Sequence, residues 1–226
     1  MATMPARSPA GQPDAARHPR IEWFGSAAGQ WLLQSESGAA QGVLSEARGL
    51  PWLWLEPLRD ASGASGPGRG LRLAPTGDGL WHGEVRCGPE LPLASESIGA
   101  IVLQHVLRRD PSDAALLEEC TRVLVPGGRL GLFALNPLAP YRWRWRGAGL
   151  RPAEPLVWRR RLREAGLAPE PLSQGIGPSW REAVSASLQQ GVGLRAAYLL
   201  RAEKRSLPLT PVRTRRRVGV GDGVPA

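Results

Sequence analysis

The stretch SIGAIVLQHVLRRDPSDAALLEECTRVLVPGGRLGLFAL, residues 97–135, decides the fold class. It holds an unbroken apolar run at 100–103, too short for a helix and polar on neither face. Such a run reads as a central parallel strand, buried on both sides. A helix follows. Asp110 suits the N-cap, Pro111 the first helical position, and Asp113 the positive helix end. Leu116, Leu117, Cys120, Val123 and Leu124 recur at helical spacing and make one apolar face. Pro126, Gly127 and Gly128 stop that helix and turn the chain into a second strand, 129–135. Strand, helix, tight turn and strand form a βαβ unit with a right-handed crossover.

Working outward, 52–55 reads as a buried strand, and 71–74 and 83–87 as shorter ones. Upstream, 23–48 carries a weak helical pattern that Gly49 closes. Downstream, 155–165 reads as a helix closed by Gly166, and 197–206 as an edge strand. The class is α/β, one sheet with helices on both faces. Residues 1–20 are an aperiodic mix of Pro, Ala, Arg and Gly and read as a disordered tail. The folded domain is expected over 21–210, followed by a basic tail over 211–226.

Charge is unevenly distributed along the 226 residues. Residues 1–140 carry 12 arginines against 14 acids, whereas 141–226 carry 16 arginines and Lys204 against 6 acids. The second part therefore has a net charge of +11, which predicts an anionic partner at 141–217, nucleic acid or a membrane surface. A solvated basic face is the simpler alternative. Cys87 and Cys120 are the only cysteines and have no metal-binding spacing, so no metal is expected. No signal peptide or membrane span is legible, and a cytoplasmic protein is expected. Serine-hydrolase elbows, Walker loops and paired catalytic carboxylates are also missing from the sequence, which removes several enzyme classes.

Residues 91–137 resemble the later half of a class I methyltransferase domain of the type 11 kind, which uses S-adenosylmethionine. Leu91-Pro92-Leu93, Glu96-Ser97, His105-Val106-Leu107 and the run RVLVPGG at 122–128 follow that family's order and spacing. Fainter similarity to a bacterial subgroup extends over roughly 21–213. The resemblance implies a three-layer sandwich around a mostly parallel seven-stranded sheet, with the last strand antiparallel. It places S-adenosylmethionine at the C-terminal ends of the first strands. By position, Glu56, Gly88, Leu103 and Gln104 would then contact the cofactor, and His105 would be the catalytic proton acceptor.

Four positions depart from the family pattern. Glu56 stands where the first glycine of the cofactor loop belongs, and Pro57 removes an N–H donor there. Pro75 and Thr76 stand where an acid would hold the ribose, with Asp78 a little late. Gly88 replaces an aspartate near the adenine, and Gly99 another at the next strand start. A second alignment makes Glu56 the acid before the loop and displaces the glycines to 63, 66, 68 and 70. Too little chain follows for the helix such a loop needs, so a linker is the favoured reading. An eroded cofactor site follows, and with it a second functional class: a noncatalytic relative that binds a partner through its arginine-rich C-terminal third.

Two further motifs weigh less. Asn136-Pro137 follows the wrong strand for a base-methylating motif and reads as a turn. The segment YRWRWRG, 141–147, alternates Arg and Trp; it fits a lid packed on the core, a membrane interface or a stacking platform.

Overall fold

The computed structural model describes residues 19–59, 66–76 and 79–205. Gly63, Asp78, nearly all of the expected N-terminal tail and the basic C-terminal tail lie outside the described residues.

Two helices open the chain, α1 (Pro19–Gly25) and α2 (Ala27–Ser45). Helix α1 takes in Pro19 and Arg20, which the sequence pattern leaves in the tail. Ser26 separates the two helices, accepting a hydrogen bond from Gly29 N at 3.3 Å and donating one to Trp23 O at 2.6 Å. Gly29 is needed at this corner, because a Cβ there would lie 2.4 Å from Trp23 O.

Four strands follow, β1 (Trp52–Leu55), β2 (Gly70–Pro75), β3 (Trp81–Gly83) and β4 (Arg86–Cys87). The deciding stretch then supplies β5 (Ile98–Gln104), α3 (Ser112–Val123) and β6 (Leu124–Leu135). The rest comprises a 3-10 helix (Pro140–Trp145), α4 (Pro155–Glu164), β7 (Leu167–Pro169), β8 (Gln174–Ile176), β9 (Gln189–Gln190) and β10 (Ala197–Lys204).

The sheet has ten strands in the order β4-β3-β2-β1-β5-β6-β10-β8-β9, with β7 also on β10. Its four middle strands, β2, β1, β5 and β6, are parallel. Both flanks are antiparallel, so the strand count exceeds the expected seven. The extra strands are short, and one arises because 83–87 splits into β3 and β4 about a bend. A hairpin joins β2 to β3, with Thr76 N bonded to Leu80 O at 2.8 Å. Among the described residues no helix separates β1 from β2 or β2 from β3. Strand β10 is interior, paired with β6 on one side and with β7 and β8 on the other, not at an edge as its loose alternation suggests. Asp110 does not cap α3; it holds Ser112 N one residue earlier, and the helix starts at Ser112.

Every residue of β1 and β5 is buried, as their continuous apolar runs require. Alternate side chains feed two layers. Ile101 and Leu103 meet Leu117, Cys120 and Val123 of α3 and Trp158 and Leu162 of α4. Ala100 and Val102 face Leu32, Leu33, Val43 and Leu44 of α2 on the other side. Each such aliphatic side chain removed from water contributes about 1.5–3 kcal/mol. Gly99 allows α2 to close on the sheet, since a Cβ there would lie 2.4 Å from Ala47 O.

Candidate functional site

The parallel strands β1, β2, β5 and β6 end on the same rim of the sheet, where open α/β sheets bind their ligands. Three of the residues singled out from sequence, Glu56, Gln104 and His105, meet on that rim, and all are buried.

Glu36 of α2, fully buried, organises the centre. Gln104 Nε2 donates to its carboxylate at 2.8 Å, and His105 Nε2 lies 2.9 Å from the same group. A carboxylate only accepts, so against a carboxylate His105 Nε2 is the donor, and Nδ1 is the other ring nitrogen. Gln104 Oε1 in turn accepts from Trp54 Nε1 at 3.1 Å. The Arg72 guanidinium lies 4.8 Å from the Trp54 ring centroid, and its Nη2 donates to Glu56 at 2.6 Å. His105 has φ +52, a left-handed conformation uncommon for residues other than glycine and frequent at functional sites. Phe24 of α1 stacks on its ring, with centroids 5.1 Å apart.

Two spaces flank His105. At the ends of β1 and β2, between Pro57, Pro75, Ile21 and Phe24, only about 10 Å³ is open. Beyond the ends of β5 and β6 a cavity of about 280 Å³ opens between Leu132, Leu135, Arg151 and Trp158. Arg20, His105 and Arg108 line both and form the partition.

The other sequence candidates sit elsewhere. Leu103 faces the α3 and α4 layer with no exposed surface, and Gly88 follows β4 at the far edge of the sheet. Neither is brought to the cluster around His105. Gly66 and Gly70 lie at the opposite end of the strands. Gly70 pairs with Trp52 at the start of β1 and β2, and Trp52 Nε1 donates to Pro67 O at 2.7 Å. A Cβ at Gly70 or Gly66 would come within 2.0 or 2.4 Å of the Trp52 ring. The displaced-glycine alignment is thereby corrected: Gly66 and Gly70 make room for an indole. Asn136 acts as a turn residue, donating to Gly193 O and Arg195 O and accepting from Leu138 N. In the 3-10 helix, Tyr141 and Trp145 are buried while Trp143 points outward, 64% exposed. Several arginines of the C-terminal third brace the chain itself, Arg144 on Glu182, Arg161 on Asp113 and Arg201 on Glu46.

Residues 80–132 match the family model of the methyltransferase domain. A SAM-dependent methyltransferase from Thermotoga maritima, described as a possible histamine N-methyltransferase, superposes with a TM-score of 0.53 at 16% identity. That likeness covers 83% of this chain and 99% of the Thermotoga chain. A methyltransferase from Haloferax volcanii, solved with the Trm112 methyltransferase activator, superposes with a TM-score of 0.55 at 14% identity, covering 83% and 98%. The chain has a class I methyltransferase fold. No curated protein matches it in sequence.

In a methyltransferase fold the cofactor's place is the closed end, at β1 and β2. Ligand pockets enclose about 300–1,000 Å³. The residues present do not fit S-adenosylmethionine in this arrangement, because Ile21 and Phe24 of α1, with Pro57 and Pro75, leave only about 10 Å³ open there. Sequence reasoning missed Glu36, Arg20, Arg72, Arg108 and Arg151. Glu36 alone left a signal: it lies four residues after Leu32 and four before Ala40, an acid on the apolar face of its helix.

Proposed function

We propose that this chain is an S-adenosylmethionine-dependent methyltransferase whose cofactor end is closed by α1 in the present conformation. The observation that carries the reading is the partition. His105, oriented by Glu36, separates the closed space at β1 and β2 from the open cavity at β5 and β6. That is where a proton acceptor between cofactor and methyl acceptor belongs. The cofactor, when bound, supplies an electrophilic methyl group on sulfonium. The chain's own residues align the acceptor, exclude water and take a proton at His105 Nδ1. The free thiols of Cys87 and buried Cys120 suit a cytoplasmic setting.

One observation favours a second reading, a noncatalytic member of the fold acting through its arginine-rich C-terminal third. Glu56, Arg72, Trp54, Gln104 and Glu36 are joined to one another by hydrogen bonds and a cation–π contact. Calorimetric titration of the full chain with S-adenosylmethionine and S-adenosylhomocysteine separates the two, repeated with Phe24→Ala. The methyltransferase reading expects weak binding that tightens when Phe24 no longer holds α1 on His105. Two folded proteins that take up neither ligand at millimolar concentration would leave the noncatalytic reading.

A further inference from the structure

The cavity beyond β5 and β6 has an unusual balance of charge. Arg20 of α1, Arg108 after β5 and Arg151 before α4 all line it. Among the described residues none of the three forms a salt bridge. The Arg20 guanidinium reaches only a backbone carbonyl, Leu107 O, at 3.1 Å. Burial, reinforced by the like charge of Arg108, pushes Arg20 down to about 10. Asp113 and Asp110 offset part of that lowering, and each has other partners. Asp110, the only acid among the described residues of the wall, is held by Ser112 N and Oγ, and Asp113 by Arg108 N, Arg109 N and Arg161.

An independent observation points the same way. Trp158 belongs to the wall, is 2% exposed, and its indole N–H is buried with no acceptor. Buried donors are almost always paired, so an orphan in a cavity wall marks the place of a missing acceptor. Apart from His105, the remaining wall, including Leu132, Leu135 and Leu150, is apolar.

We propose that this cavity binds a small organic anion, its carboxylate or phosphate held by Arg20 and Arg108, its apolar body against Leu132, Leu150 and Trp158. Guanidinium forks match both oxyanions in geometry as well as charge. The volume of about 280 Å³ limits the ligand to less than drug size. This rests on the methyltransferase reading only in making the anion the methyl acceptor; the binding itself does not.

The test is calorimetry and thermal shift on the full chain with phenylacetate and phenyl phosphate, using benzyl alcohol as the neutral control. The anions bind and raise Tm, the alcohol does not, and Arg108→Met, which breaks no hydrogen bond of the Arg108 side chain, weakens binding at least tenfold. Trp158→Phe keeps the ring and weakens it several-fold. A folded wild-type chain that binds neither anion at 10 mM ligand (on the order of the weakest ligand affinities), or anion binding that Arg108→Met leaves unchanged, overturns the proposal. Anion binding without any S-adenosylmethionine binding upholds the cavity and removes the methyltransferase reading. The converse pattern keeps that reading and discards the anion.

Discussion

His105 Nε2 lies 2.9 Å from Glu36 Oε1, across 69 residues of chain, with both side chains buried. The carboxylate also takes the Gln104 amide, so one buried acid holds two donors from the end of β5. Removing it leaves both unsatisfied. Glu36→Ala is therefore expected to cost about 2–6 kcal/mol, about 1–3 for each buried donor left without an acceptor. Glu36→Gln keeps the shape and one acceptor and is expected to cost about 1–3 kcal/mol. Urea denaturation of the three proteins checks both figures, and equal costs would mean that the carboxylate charge, and not the shape or the retained acceptor, carries the whole effect.

The glycine loop makes a sharper prediction. Gly70→Ala forces a methyl group to 2.0 Å from the Trp52 ring. Overpacking of this kind costs about 1–3 kcal/mol or more. The cost should fall in the Trp52→Leu background, where the ring is gone, and the double-mutant cycle should give a coupling of about 1–3 kcal/mol. Gly68 has φ +69 with open space around it, so Gly68→Ala should cost about 1 kcal/mol whatever occupies position 52. A glycine loop serving a ligand would show no coupling to Trp52.

These residues also mark how far the sequence could be read. The run 100–103 and the PGG turn announced β5, α3 and β6, because continuous burial and helix-stop chemistry are local signals. Glu56, Gln104 and His105 were placed by their position at strand ends, and the rim does gather them. The Trp52–Gly70 contact was not legible, since it depends on the register of two parallel strands joined through a loop. The same holds for β10, whose interior position is set by β7 and β8, two three-residue strands with little pattern of their own. Arg20 could not be placed because its helix has seven residues and stands only by docking Trp23 and Phe24.

Alkaline pH should destabilise the protein through Cys120. Burial raises this thiol from 9.0 to about 12. The folded state therefore keeps a proton that the unfolded state loses above about 9. The stabilisation is complete below that value and is lost as pH rises towards about 12. One proton corresponds to a slope of about 1.4 kcal/mol per pH unit. Tyr141, also pushed up to about 12 by burial, adds to the fall at the upper end. Urea midpoints at pH 8 to 11 should decline, and Cys120→Ala should flatten the curve even though it lowers stability at pH 8. An unchanged slope in that variant would assign the decline elsewhere.

The last prediction concerns α1. It is held by Trp23 Nε1 on Arg144 O at 2.7 Å, by the Phe24–His105 stack and by Arg20 on Leu107 O. A seven-residue helix cannot stand alone and depends on this docking, so it should open at lower free energy than β5 or β6. Hydrogen exchange should find its amides the least protected among the described helices. S-adenosylmethionine entering at the ends of β1 and β2 must displace Phe24, because about 10 Å³ is open there. Added cofactor should therefore raise exchange across 19–25 while protecting the ends of β1 and β5, and should expose Trp23 to water with a red shift in emission. A ligand that protects α1 instead would be one that binds with the helix in place, in the arginine-lined cavity on the other side of His105.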